Sequence, residues 1–163
     1  MQHVVKGVTL CTPLHTASDT ARRNMDTIIT FFSLYLRNKE EFYALWTRDH
    51  ARVVTPFVVT DVITCTAAVH EGWEAVCRFW DPIFDHMRGT FQWFVDEMIA
   101  GEDPNVIIVT SHSHVNVFAS EVWGNKQVSY NGRYVQIFKF MDGKIRYFEE
   151  YYDTRVLGDA YGA

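Results

Sequence analysis

Between residues 90 and 152, apolar and polar side chains alternate with a period of two, in long runs broken by short turn sequences. This pattern constrains the fold more than any other feature, because only strands with one buried face require it. The runs cover residues 91–99, 106–118, 130–141 and 144–152. Gly101-Glu102-Asp103-Pro104-Asn105 and Gly124-Asn125-Lys126 read as turns, and Asp142-Gly143 as a tight hairpin. Upstream the period is helical. Ser18 and Asp19 can cap a helix that carries Met25, Ile28, Ile29, Phe32, Tyr35 and Leu36 on one face, with Asn38 as its expected end. A second short helix places Phe42, Leu45 and Trp46 inward, with Glu40 and Glu41 in its first turn.

Residues 51–69 read as strand, with Val53, Val54, Phe57, Val58, Val59, Val62 and Ile63 interrupted by Pro56. Residues 72–87 read as a third helix, with Trp73, Val76, Cys77, Trp80, Ile83 and Phe84 near helical spacing. Pro82 threatens to divide it, and Gly89 is expected to close it. Helices first and a strand meander afterwards define an α+β chain. The expected organisation is an N-terminal arm over residues 1–19, loose or forming a modest leading strand, and a single domain over 20–163.

Charge and cysteine usage narrow the functional classes. The net charge is −5 with no basic patch, which argues against nucleic acid as a partner. No apolar stretch is long enough to cross a bilayer, and residues 1–20 lack the apolar run of a signal peptide. Cys11, Cys65 and Cys77 match neither a disulfide framework nor a zinc spacing, so a reducing cytoplasm is the expected compartment. The 12 Phe, 8 Tyr and 5 Trp can fill a core or line a pocket for a flat apolar ligand. Composition does not separate the two uses. No Gly-rich phosphate loop, Ser-His-Asp order or kinase signature appears, so no nucleotide cofactor is expected.

The order of elements, followed by Phe138-Lys139-Phe140-Met141-Asp142-Gly143-Lys144-Ile145 and then Glu149-Glu150-Tyr151-Tyr152-Asp153, resembles the nuclear-transport-factor-like superfamily over residues 20–155. Within it the chain looks most like the SnoaL-like polyketide cyclases and the phenazine-biosynthesis A/B proteins. Trp93 and Glu102-Asp103-Pro104-Asn105 resemble the latter. Limonene epoxide hydrolase is similar at greater distance. The resemblance implies a cone-shaped curved sheet, mixed or antiparallel, wrapped around three N-terminal helices and enclosing an apolar pocket. It also implies a homodimer and a role in secondary metabolism. The reaction does not follow from it, because the superfamily hosts many chemistries and some non-enzymes.

Glu150 is the leading candidate acid. It lies five residues after Ile145, the register at which the cyclases and the epoxide hydrolase carry a catalytic Asp and the phenazine proteins a Glu. A carboxyl among Tyr147, Phe148, Tyr151 and Tyr152 would be partly desolvated, which raises its pKa towards a value useful for proton transfer. The competing reading is a solvated outer-face carboxylate paired with Arg146 or Lys144. Glu149 must point to the opposite face, and Asp153 is expected to close the strand structurally.

Tyr134 and Gln136 share a face. The cyclases carry His where this chain has Gln136, and Gln can polarise a carbonyl but cannot relay a proton. An inward polar pair bonded to each other is the plainer reading. His112 and His114 share a face with Thr110 and Asn116. A His-x-His pair can ligate a metal, but Glu121 is too distant and no further His motif follows, so no metal is expected. The phenazine proteins carry acidic and His residues here, and His114 is expected to reach the pocket as an acid/base partner unless the pair lies at a subunit contact.

Asp49 follows the second helix, near a pocket carboxylate of family members, with a turn role as the alternative. Thr55-Pro56 stands where ketosteroid isomerase carries its base, which is missing here. The expected catalytic set is therefore Glu150, His114 and Gln136, with Tyr134, Tyr35, Tyr43, Trp80, Trp93, His112 and Asp49 binding substrate. The expected function is cofactor-independent acid/base catalysis on a small hydrophobic, cyclic molecule, of isomerase, cyclase or lyase type. Epoxide opening is weakened by Ser and His on the second strand in place of Arg and Asp. The alternative is a non-catalytic ligand-binding or dimeric assembly module of the same fold.

Overall fold

The computed structural model describes residues 2–16, 18–55, 69–120 and 123–162. Among these, helix α1 (Asp19–Leu34) begins where the Ser18 hydroxyl accepts the Ala21 amide at 3.2 Å. It buries Met25, Ile28, Ile29, Phe31 and Phe32 against the sheet. The helix stops at Leu34, short of the expected Asn38, because Leu36 turns to positive φ. Asn38 instead caps the next helix, α2 (Lys39–Ala44), its side chain accepting from the Glu41 amide.

Helix α3 (Trp73–His86) runs unbroken through Pro82. The ring removes one helical hydrogen bond, but Phe79, Trp80, Ile83 and Phe84 on either side are buried, and that packing holds the helix together. Gly89 does not end it. The chain passes from α3 directly into strand β5 (Met87–Ala100), and Gly89 lies inside that strand at φ 137°. A Cβ there would stand 2.4 Å from the Asn116 carbonyl oxygen, so only glycine lets β5 approach its neighbour β6 (Val106–Ala119) at this point.

The other strands are β1 (His3–Val5), β2 (Val8–Leu10), β3 (Arg52–Val54), β4 (Val69–Glu71), β7 (Lys126–Met141) and β8 (Lys144–Tyr152). Among the described residues they form one curved, unclosed sheet of eight strands in the order β1-β2-β5-β6-β7-β8-β3-β4. The β2–β5 and β3–β8 pairs are parallel and the rest antiparallel, so the sheet is mixed. Residues 3–10, expected as a loose arm or modest strand, make an edge hairpin whose Val8 and Leu10 are buried. Of the strand expected over 51–69, residues 52–54 and Val69 are in β3 and β4, whereas Pro56, Phe57, Val58, Val59, Val62, Ile63 and Cys65 lie outside the described residues.

A fourth helix, α4 (Thr154–Tyr161), follows β8 and had no counterpart in the sequence reading. Asp153 starts it, its carboxylate accepting from the Arg155 and Val156 amides. No helix among the described residues is long and apolar enough to cross a membrane.

The aromatic residues meet between the helices and the sheet. Phe31 of α1 packs against Phe42 of α2, Trp80 of α3, Phe138 of β7 and Phe148 of β8, with ring centroids 4.7 to 5.9 Å apart. Such edge and tilted contacts add to the area term that drives burial. Burial alternates along the whole of β6: Ile107, Val109, Ser111, Ser113, Val115 and Val117 face in, and the residues between them face out. That parity positions the site.

Candidate active-site pocket

The β7–β8 ladder sets Gln136 directly opposite Glu150 and Tyr134 opposite Tyr152. Cross-strand partners share a face, so Gln136 and Glu150 project together to the inner side. Gln136 Nε2 donates to Glu150 Oε1 at 3.1 Å. The other end of the same amide, Oε1, accepts from Ser111 Oγ at 2.9 Å. Ser111, Gln136 and Glu150 thus form one hydrogen-bonded row across β6, β7 and β8. A second pair lies beside it, with the hydroxyls of Ser113 and Tyr134 2.9 Å apart. Gly132 makes room for it: a Cβ there would come 2.0 Å from the Tyr134 hydroxyl.

Glu150 lines a cavity of about 80 Å³. Tyr134, Tyr130 and Trp93 from the sheet and Tyr35 and Phe91 at one end supply aromatic walls. Ile83 of α3 and Leu157 of α4 close the apolar side. Burial in this lining pushes the Glu150 carboxyl up to about 7, and the hydrogen bond from Gln136 opposes the shift. Burial and the neighbouring Glu150 charge also raise the Tyr134 phenol above its ordinary value. The indole N–H of Trp93 is buried and has no hydrogen-bond partner among the described residues. A donor of that kind beside an acid that is half ionised near neutrality can hold a ligand oxygen while the acid gives or takes a proton.

Glu149 faces the other way, its carboxylate accepting from the Tyr147 and Tyr151 hydroxyls. Glu150 makes no pair with Arg146 or Lys144. Gln136 and Tyr134 are both inward, yet each bonds to a serine of β6 and not to the other.

Several expected site residues lie elsewhere. His114 is exposed on the outer face of β6 and cannot reach Glu150, because its parity is opposite to that of Ser111 and Ser113. His112 shares that outer face; its Nδ1 lies 3.0 Å from Asp96 Oδ2 and its ring stacks on Phe94 at 4.7 Å. Asp96 sits at the bulge between Val95 and Glu97. Among the described residues no group of three or more His, Cys, Asp or Glu side chains converges as metal ligands. Tyr43 donates to Asp81 Oδ1 at 2.7 Å and packs on Trp73, which binds α2 to α3 away from the cavity. Trp80 belongs to the aromatic core and not to the described cavity wall. Asp49 is exposed in a turn, its carbonyl accepting from the Thr47 hydroxyl.

The cavity wall takes in Tyr130, Leu157 and Tyr161, which the sequence did not single out, and Thr55, which stood only in place of a missing base; Ser111 and Ser113, also not singled out, hold Gln136 and Tyr134 from behind. The signal for the two serines was present. Thr110-Ser111-His112-Ser113-His114 alternates within a strand whose other odd positions are Ile107, Val109, Val115 and Val117. A separate depression of about 680 Å³ is an open surface groove that shares only Tyr35 and Phe91 with the cavity and has no carboxyl among its described lining residues.

A bent mixed sheet wrapped around helices has the form of the nuclear-transport-factor-like cone. Solved structures bear this out at the level of fold. A phenazine biosynthesis-related protein from Pseudomonas aeruginosa superposes with a TM-score of 0.69 at 17% identity, over 93% of this chain and 88% of its own. A nuclear transport factor 2-like protein of unknown function from Burkholderia pseudomallei gives 0.66 at 20% identity, over 86% and 98%. A protein from Jannaschia sp. CCS1, assigned as a SnoaL-like polyketide cyclase, gives 0.67 at 12% identity, over 92% and 99%. No family model and no curated protein matches the sequence.

Proposed function

We propose that this chain is a cofactor-independent enzyme in which Glu150 exchanges a proton with a small hydrophobic, carbocyclic molecule, as in isomerisation, cyclisation or dehydration. The observation that carries this is the placement of Glu150 as the only carboxyl among the described cavity-lining residues, with its pKa raised to about 7 by burial. Trp93 is the proposed donor to a ligand oxygen, with Tyr134 beside it. Gln136 serves the acid and not the ligand. The fold neighbours that include a phenazine biosynthesis-related protein and an assigned polyketide cyclase support a secondary-metabolite setting. The free thiols of Cys11 and Cys77 agree with a reducing cytoplasm.

The test needs no natural substrate. Exchange of the α-protons of a cyclic enone in deuterated buffer, followed by NMR, is expected to be faster with the wild type than with Glu150→Gln, while the enone still binds both. Equal rates would remove the acid/base reading.

One observation favours a second reading. A cavity of about 80 Å³ is small beside the roughly 300 Å³ or more of ordinary ligand sites. An assembly module would need no larger space. Ile99, Ile108, Val135 and Tyr151 are exposed on the outer side of β5–β8, and a second copy of this chain is the proposed occupant of that face. Light scattering would return a dimer mass, and a monomer at all concentrations would count against it.

A further inference from the structure

We propose that Ser111 is a positioning residue that sets the direction of the buried Ser111–Gln136–Glu150 hydrogen-bond row, and so makes Glu150 Oε2 the oxygen that exchanges protons with a ligand. This rests on the acid/base reading of Glu150 and adds to it.

The argument starts from the chemistry of a primary amide. Its two ends have nearly the same shape but opposite hydrogen-bonding character. An ionised Glu150 can only accept, so Gln136 must present Nε2 to it. Nothing in the Gln side chain itself selects that orientation. Gln136 is 0% exposed and Ser111 2%, so bulk water cannot select it either. The ionised carboxylate requires it, and the Ser111 hydroxyl supports it by donating to Gln136 Oε1 at 2.9 Å, with Nε2 directed at Glu150 Oε1, 3.1 Å away.

Two consequences follow for the proton. Oε1 of Glu150 already faces an N–H, so a proton added to the acid resides on Oε2. That oxygen has no hydrogen-bond partner among the described residues, and Glu150 lines the cavity. Without the Ser111 hydroxyl, the amide oxygen would be buried and unsatisfied. Turning the amide over satisfies the oxygen by aiming it at Glu150, where it accepts the proton of the neutral acid, and leaves the N–H groups towards residue 111 in its place. The acid is then held protonated on Oε1, facing away from any ligand.

The titratable side chains that line the cavity with Glu150 are phenols: Tyr134 and Tyr130 from β7, Tyr152 from β8, Tyr35 from the end of α1 and Tyr161 from α4. No Lys, Arg, His or second carboxyl lines the described cavity. The orientation of one amide is therefore a leading control on this acid.

The experiment is a ¹³C NMR titration of the Glu150 side-chain carboxyl, assigned by its disappearance in Glu150→Gln. The wild-type midpoint is expected near 7. Ser111→Ala should raise it by about one pH unit, and Ser111→Thr, which keeps the hydroxyl, should restore it. Gln136→Met should also raise the midpoint, and the Ser111→Ala, Gln136→Met double variant should match Gln136→Met alone. If Ser111→Ala does not fold, Ser111→Cys, a weaker donor, replaces it and should titrate above Ser111→Thr. An unchanged midpoint in the folded Ser111→Ala or Ser111→Cys protein overturns the role of Ser111 and leaves the acid/base reading standing. A wild-type midpoint at the ordinary glutamate value overturns that reading as well.

Discussion

Gln136 Nε2 stands 3.1 Å from Glu150 Oε1 across the β7–β8 ladder. This bond is the only hydrogen bond from the described residues to the cavity's acid, and it opposes a larger desolvation effect. The carboxyl is thereby left near the midpoint of its titration at neutral pH, the condition in which an acid both gives and takes a proton readily.

The same balance makes stability depend on pH. The folded-state pKa of Glu150, about 7, lies above its ordinary value of 4.5, so the folded protein binds more protons between those limits. Stability therefore falls as pH rises through that window, by up to about 3 kcal/mol, and levels off above it. Glu150→Gln removes the effect. In thermal melts from pH 4 to 8.5, the wild type should lose stability relative to Glu150→Gln as pH rises; parallel curves would refute a buried ionising acid.

The Ser113–Tyr134 pair makes a separate prediction. Tyr134→Phe takes the partner of the buried Ser113 hydroxyl, and Ser113→Ala takes one of the two partners of the Tyr134 hydroxyl, which also bonds Tyr130; the first is expected to cost about 1–2 kcal/mol and the second less. The double variant removes both groups and should cost clearly less than the two singles added together. Urea denaturation measures all three, and strict additivity would show that the two hydroxyls do not interact.

Gly89→Ala should be among the most damaging small substitutions in the chain. Its Cβ would meet backbone, the Asn116 carbonyl oxygen at 2.4 Å and Val117 Cα at 2.9 Å, at a φ that L-residues avoid. Separating β5 from β6 there is expected to cost about 3 kcal/mol. Gly143→Ala, with positive φ but no atom within 4 Å, should cost about 1 kcal/mol. Similar losses for the two would mean that β5 and β6 do not approach as described.

The outer histidines should be dispensable for the cavity's chemistry. His112→Ala, His114→Ala together remove a half-exposed pair with Asp96, expected to contribute about 0–1 kcal/mol. Enone exchange that depends on Glu150 should survive in that variant. Its loss with the fold intact would show that His114 acts at the site after all.

The sequence by itself determined the long elements and which residues share a face. Period-two runs located four long strands, Asp142-Gly143 located the β7–β8 hairpin, and strand alternation required Glu149 and Glu150 to part. Ser18 announced the start of α1, since a side-chain cap is a local interaction that does not depend on the rest of the fold. Tertiary structure decided which parity lies inside. Alternation makes Ser111 and Ser113 one face and His112 and His114 the other, but only the register of β6 against β5 and β7 puts the serines under the helices. The same holds for partners. That Gln136 bonds Ser111 and Glu150, and that Tyr43 turns to Asp81, are contacts between segments 25, 14 and 38 residues apart. Helix α4 is short and contains Gly158, so its stability comes from packing Tyr161 against the sheet and not from its own sequence. Local patterns report which atoms share a side; they carry no record of what the folded chain brings up against that side.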